Sequence, residues 1–471
     1  MTTSRRSLLR SVGIAGLFGY TAGSSPKVLN RDDETTTSEM DSLNASTTEE
    51  GQSFRLPSGE THKWIDTGQI LATSEAVYAL YREFDDPVSE LERTHVPKES
   101  RSGIAVFSQG CGCSEDYETK LVDVGRNLSL FAVANGNVIV SRDREQMDVD
   151  EDVWVDNETY QTRELVAVSE ETGETEWVVP FGSVIRDGGK SSDIREQVGE
   201  SIRSDSGVIV SGESLFAGTT NGIYRIDVES GEVMWEYEGE TVTGIASNES
   251  TVVFSSGRYG SDLRGLAVET GEVMWHERLD ESVSGLQIAS VSDGNDRVVY
   301  AAQEVPVVFM NGEGRIESRG VETGEVDREQ YLEDHSIDGE KRYAHVRGVG
   351  VVDGAVVIYV TFEDAGTHYL SAIRVRDGVE EWTEQIRVAS SVSSGQSVCG
   401  FLSRPQDNRS HSVRDLRVLN SDDGTTVFED SLSTHPTAVS SPVRAQNRLY
   451  VCRPEDGEKG SAVEIASYQI C

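Results

Sequence analysis

Eight histidines, five cysteines and 82 acidic residues offer ample material for chemistry, yet their spacings assemble no reaction centre. The histidines at 62, 95, 276, 335, 345, 368, 411 and 435 show neither His-x-His nor His-Glu-x-x-His spacing, so zinc hydrolysis lacks a ligand set. Gly189-Lys190-Ser191 copies the end of a phosphate loop, but Val184 stands where the first glycine is required, and the tract reads as a plain loop. Gly395-Gln396-Ser397-Val398-Cys399 departs from the nucleophile elbow at its last position, which is Cys rather than Gly. Asn420 to Gly424 has the acids of an ion loop, out of register for an EF-hand, and reads as a turn.

The cysteines are Cys111, Cys113, Cys399, Cys452 and Cys471. An odd count excludes a fully paired framework. Cys111-Gly112-Cys113 could hold a metal or form a strained redox loop, but two thiols without a second ligand pair fall short of a four-ligand site, and a turn is the preferred reading. Outside the cell Cys452 and Cys471 are the favoured pair for oxidation, because both sit in the last apolar runs.

What does recur is a tract in which an apolar anchor, usually Trp, follows a turn glycine by four residues. Clear copies are 165–177, 223–235 and 264–275; weaker ones are 317–328, 371–382 and 416–428. Their glycines are Gly173, Gly231, Gly271, Gly324, Gly378 and Gly424, at intervals of 58, 40, 53, 54 and 46 residues. These intervals bracket the roughly 40 to 50 residues of a four-stranded propeller blade. The anchors are Trp177, Trp235, Trp275, Trp382 and Phe428, with Arg328 in the fourth copy, where a weaker seam or a partner for the guanidinium is expected.

Each copy reads as two strands and a hairpin. Residues before the turn alternate, as in Ile223, Arg225 and Asp227 against Tyr224, Ile226 and Val228, which is strand period. Gly supplies the positive φ that a bulged hairpin needs. An aromatic repeated at one position can cover the seam between neighbouring sheets, burying roughly 150 to 250 Å² each. Further strand candidates lie upstream at 137–141, 207–210, 251–254, 297–300 and 355–360, with no convincing helical stretch between them. The expected fold is therefore all-β: a single eight-bladed propeller of four-stranded antiparallel blades at about 51 residues per blade, or seven blades if residues 70–124 are a loop or cap rather than a degenerate blade. Strands from both termini close the ring, with Lys63-Trp64-Ile65-Asp66 supplying the outermost strand of the last blade and so removing exposed edges.

The tract resembles the Ala-x-Asp-x-x-Thr-Gly-x-x-x-Trp repeat of the pyrroloquinoline-quinone-type propeller family. Ala167, Thr172, Gly173 and Trp177 match in the first copy, Asp227, Gly231 and Trp235 in the second, Thr270, Gly271 and Trp275 in the third, and Ala372, Gly378 and Trp382 in the fifth. The resemblance spans about residues 128–432 and implies that the tryptophans dock blades together. It also implies one of two functions. Quinone-dependent alcohol or sugar dehydrogenases of this family hold the quinone with Ca²⁺, use an Asp base and often carry a disulfide between adjacent cysteines. Here Gly112 separates the only close pair and no Asp is assignable as base. Non-catalytic members, exemplified by the lipoprotein subunit of the bacterial barrel-assembly machinery, present loops and strand edges to protein partners. This chain is more similar to the second kind in length and economy of repeat, so a binding scaffold without cofactor is expected, with a quinone dehydrogenase as the alternative.

The ends and the charge place this scaffold. Arg5-Arg6 precedes the apolar run 12–20 and small residues to Ser25, which resembles a twin-arginine export signal over 1–25. No Cys follows it to carry a lipid, and no later run approaches the ~18 apolar residues of a membrane span. Residues 26–60 read as an acidic Ser/Thr tether and 61–471 as the propeller. A formal net charge of -40 with only seven lysines repels nucleic acid and anionic lipid, and suits a protein working in high salt. The expectation is a monomer at or beyond the cell surface that binds a protein partner, with no transmembrane segment in the mature chain.

Overall fold

The computed structural model describes residues 50–54, 62–84, 101–109, 117–125, 128–143, 163–181, 207–257, 260–290, 296–304, 314–331, 345–352, 356–362, 368–375, 377–385, 393–395, 398–403, 414–433, 442–445, 448–454 and 463–469. Among them all regular structure is strand, and the strands form eight four-stranded antiparallel sheets. In chain order these span 62–125, 129–181, 208–238, 242–278, 281–331, 345–385, 393–433 and 443–469, the last completed by Glu50–Phe54. In the first seven, strand order within the sheet is strand order along the chain. Neighbouring strands of these sheets are therefore consecutive along the chain, and several of the described connections are short turns of the Gly and Asn type that such alternating runs call for, as at Asn135-Gly136 and Gly212.

The sheets pack face on face in sequence. The first strand of each touches the first strand of its successor, and that of the eighth (Val443–Ala445) touches that of the first (His62–Ala72). Apolar clusters fill the gaps between them. Thr251–Ser256 is buried along its whole length, with Val252 and Phe254 in the cluster shared with the third sheet and Val253 in the cluster shared with the fifth. A strand covered on both faces explains its unbroken β-branched and aromatic run. The outermost strands differ: along Val273–Arg278 only Trp275 is buried. Face-to-face four-stranded meanders of this kind are the architecture of a β-propeller.

Two expectations need correction. The outermost strand of the eighth sheet is not Lys63–Asp66, which belongs to the first strand of the first sheet. It is Glu50–Phe54, pairing Glu50 with Tyr468 and Phe54 with Ile465, so part of the stretch read as tether is strand. Sequence polarity misleads here because an added edge strand is held by backbone hydrogen bonds and needs little apolar content. Residues 70–124, read as a blade without the Gly-Trp tract, do lie in a four-stranded sheet, which spans 62–125. The export signal, the tether up to residue 49, Cys111, Cys113, Gly189–Ser191 and Cys471 lie outside the described residues. Among the described residues no helix is long and apolar enough to cross a membrane.

Candidate functional site

The six tracts make one repeated device at the outer rim. All six glycines have φ between +68° and +79°. In each the Gly N–H donates to the carbonyl four residues back, for example Gly231 to Asp227 at 2.9 Å, while the Asp227 N–H donates to the Glu232 carbonyl at 2.9 Å. The second tract adds a side-chain brace, since the Asp227 carboxylate accepts from the Ser230 N–H at 2.8 Å and hydroxyl at 2.7 Å. A bulge follows: Arg225 pairs with Trp235 but Ile226 pairs with Val233, leaving Met234 as the extra residue. The bulge re-aims the strand and sets the anchor on the face toward the next sheet.

There each anchor meets the turn of its successor. Trp177 donates through Nε1 to the Val228 carbonyl at 2.9 Å, Trp235 to Val268 at 2.7 Å, Trp275 to Val321 at 2.7 Å and Trp382 to Ser421 at 2.7 Å. Each acceptor lies three residues before a turn glycine. That glycine is crossed by the same indole: a Cβ at Gly231, Gly271, Gly324 or Gly424 would come within 2.6 to 2.8 Å of Trp177, Trp235, Trp275 or Trp382 respectively. Glycine is thus required twice over, for its backbone and for the space above it. The chain ends of the series are variants of the same contact. Val122 of the first sheet takes the indole's place over Gly173, and Phe428 of the seventh packs on Tyr468 of the eighth with ring centroids 5.3 Å apart.

Arg328 performs the docking differently. Its Nη1 donates to the Asp377 carbonyl at 2.6 Å and its Cδ lies over Gly378. The guanidinium thus has the partner that was one of the two expectations, and a cavity of about 20 Å³ lies at this seam.

The opposite face of the fifth sheet carries a charged cluster that sequence reading passed over. Arg315, Glu317 and Arg319 alternate along Gly314–Gly320 and are all buried. Glu317 bonds Arg315 at 2.8 Å and the Tyr300 hydroxyl, Arg315 pairs with Glu281, and Arg319 donates to the Gly324 carbonyl at 2.9 Å. Burial first, then the charge of Glu317, pushes the Tyr300 phenol well up. The cluster holds the neutral phenol as a hydrogen-bonding strut. The alternation of charge was the available signal, but alternation alone does not say which face is buried.

Cys452 is buried in Arg448–Pro454 among residues of the first and eighth sheets. The outer strands also expose large apolar side chains: Val178, Val233, Met234, Val273, Met274, Val326, Val379 and Val427. They recur beside the turn glycines on six successive outer strands or the turns leading into them.

The sequence model of a family described as outer membrane protein assembly factor BamB matches residues 161–403, just over half of the chain. The chain belongs to this family. The match begins just before the first tract and runs through the fifth, so family membership and the docking device rest on the same residues. Among solved structures, BamB from Moraxella catarrhalis is 13% identical, covering 90% of this chain and 100% of its own, with a TM-score of 0.49. The computationally designed Ika8 protein is 13% identical over 88% and 99% of the two chains with a TM-score of 0.50. A europium-containing methanol dehydrogenase is 10% identical over 91% and 94%, with a TM-score of 0.52. At these identities the last two show the propeller fold and nothing of activity. No curated protein matches the sequence.

Proposed function

We propose that this chain is a non-catalytic scaffold, a closed and monomeric ring of eight blades, exported by its twin-arginine signal to bind a protein partner at the cell surface in high salt. One observation carries the binding role: the apolar series along the outer rim. Met234 is 52% exposed, Val273 46% and Met274 44%. These residues recur at similar places on successive outer strands or the turns leading into them, each strand tied to the turn of the next sheet by its anchor. Repeated exposed apolar groups rimmed by charge mark protein interaction surfaces, and methionine adapts to a partner's shape.

Other features support the reading. The contact between the first strands of the first and eighth sheets supports closure. The antiparallel addition of Glu50–Phe54 to the eighth sheet supports a ring joined by both ends. The conspicuous side chains of the repeat are engaged in docking, so they serve the scaffold rather than a reaction. The acidic surface argues against a nucleic-acid partner.

Photo-crosslinking tests the role directly, with a benzophenone amino acid placed at Met234 or Met274 in cells grown in molar salt. A discrete protein adduct from the rim, missing when the same group replaces an exposed residue elsewhere, is the expected result. No adduct from the rim, together with a tightly held quinone and dye-linked alcohol oxidation in the purified protein with Ca²⁺, would overturn it in favour of a dehydrogenase.

A further inference from the structure

We propose that the outer strands of the third and fourth sheets, Val233–Glu238 and Val273–Arg278, form one docking surface for a basic polypeptide segment with apolar side chains, which rests on the scaffold role and gives its partner a chemistry. Both strands carry the same Glu-Val-Met-Trp run, at 232–235 and 272–275. A bulge before each tryptophan leaves the two residues ahead of it outward, so Val233, Met234, Val273 and Met274 are all exposed. In the other four tracts these two positions hold at least one polar or charged residue: Thr175-Glu176, Val326-Asp327, Glu380-Glu381 and Thr426-Val427. The apolar doublet thus belongs to two consecutive sheets. Trp235 joins them, since its bond to the Val268 carbonyl at 2.7 Å ties the outer strand of the third sheet to the turn that leads into the outer strand of the fourth.

The charge around the doublets decides the partner's chemistry. Over 228–240 and 268–278, eight glutamates stand against one arginine, whereas the whole chain has 82 acidic against 42 basic residues. All eight glutamates are exposed. Carboxylates alone would serve solubility, but methionines and valines set among them work against it and mark a contact surface. Two of the eight already meet guanidinium groups of the chain itself: Glu269 lies 3.3 Å from Arg225 and Glu277 lies 3.7 Å from Arg319. In molar salt the screening length is about 3 Å, so charge acts only at contact. Burial of the valines and methionines then supplies the affinity, and the glutamates select arginine or lysine beside the partner's apolar side chains. A like-charged acidic segment is rejected at the same contacts.

The test titrates the full-length protein in molar potassium chloride with a fluorescein-labelled peptide of alternating leucine and arginine, and with a counterpart carrying glutamate for arginine. Binding of the first and not of the second is expected. Glu232→Gln, Glu236→Gln and Glu272→Gln combined should weaken binding about fivefold, and Met234→Ser with Met274→Ser at least as much. The same charge removed elsewhere, by Glu75→Gln, Glu213→Gln and Glu249→Gln in exposed turns between first and second strands, should change it by less than about twofold. No binding of the leucine-arginine peptide, equal affinity for its glutamate counterpart, or equal weakening by the two triple variants would overturn the proposal. Crosslinking from Met274 keeps this result apart from the scaffold role: a protein adduct whose yield is the same in the parent and in the first triple variant leaves that role standing and removes the basic partner.

Discussion

The indole of Trp275 occupies the space that a side chain at position 324 would need: a Cβ on Gly324 would lie 2.6 Å from the ring, and the ring nitrogen is bonded to the Val321 carbonyl at 2.7 Å. Gly212 offers a control, with φ of +59° and no atom within 4 Å of where a Cβ would stand. Gly212→Ala should cost about 1 kcal/mol, the strain of a left-handed residue alone. Gly324→Ala should cost about 2 to 4 kcal/mol, because overpacking is added to that strain. Equilibrium unfolding in denaturant at fixed salt separates the two.

The tryptophans should not be equivalent. Trp275 is buried, whereas Trp235 is half-buried, and Arg225 Nη1 also donates to its acceptor, the Val268 carbonyl, at 2.9 Å. Trp275→Ala should lose about 3 to 5 kcal/mol and Trp235→Ala about 2 kcal/mol. Trp275→Phe should lose roughly 1 kcal/mol, the net worth of the indole hydrogen bond. Unfolding midpoints of the three variants, measured together, check the order.

Arg328→Trp should stabilise the protein by about 1 to 2 kcal/mol. Ser318 is the residue opposite Arg328, and other anchors face similarly small residues: Gly265 opposite Trp275 and Ala372 opposite Trp382. A raised melting temperature is the expected outcome; a lowered one would mean that the guanidinium's bond to Asp377 outweighs the filled cavity.

Acid should loosen the turns. The side-chain hydroxyl of Ser230, and then its backbone N–H, hold the Asp227 carboxyl below its ordinary value. The Thr425 hydroxyl and N–H do the same for Asp423. A group whose pKa is lower in the folded state takes up protons more readily when unfolded, so its stabilisation is present above the unfolded value and lost as pH falls through the folded one. The window lies below about pH 4. Asp227→Asn keeps an acceptor oxygen but cannot titrate, so its melting temperature should fall less steeply than the parent's between about pH 4 and 2. The difference should be small, because Asp227 is only half-buried and Asp423 is exposed.

Much of this arrangement is legible in the sequence because it is periodic. Six turn glycines and five of their anchors announce both the hairpins and the seam, and upstream β-branched runs announce the buried strands. Where the period breaks, so does the reading. Val122 stands at an anchor's place without a recognisable tract, and Glu50–Phe54 pairs through its backbone, to which composition is blind. The destination of Arg328 is a carbonyl 49 residues away, and nothing local specifies it. The rim's exposed valines and methionines are conspicuous only after the bulge at Met234 shows which way each residue faces.

The central claim is that tract residues dock neighbouring blades, and the most direct measurement is the unfolding free energy of Trp275→Ala, Gly324→Ala and the double variant. With the indole gone, the methyl at 324 has room, so the double variant should be more stable than the sum of the single losses predicts, by about 1 kcal/mol or more. Losses that add to within about 0.5 kcal/mol would contradict the account, since independent sites behave that way.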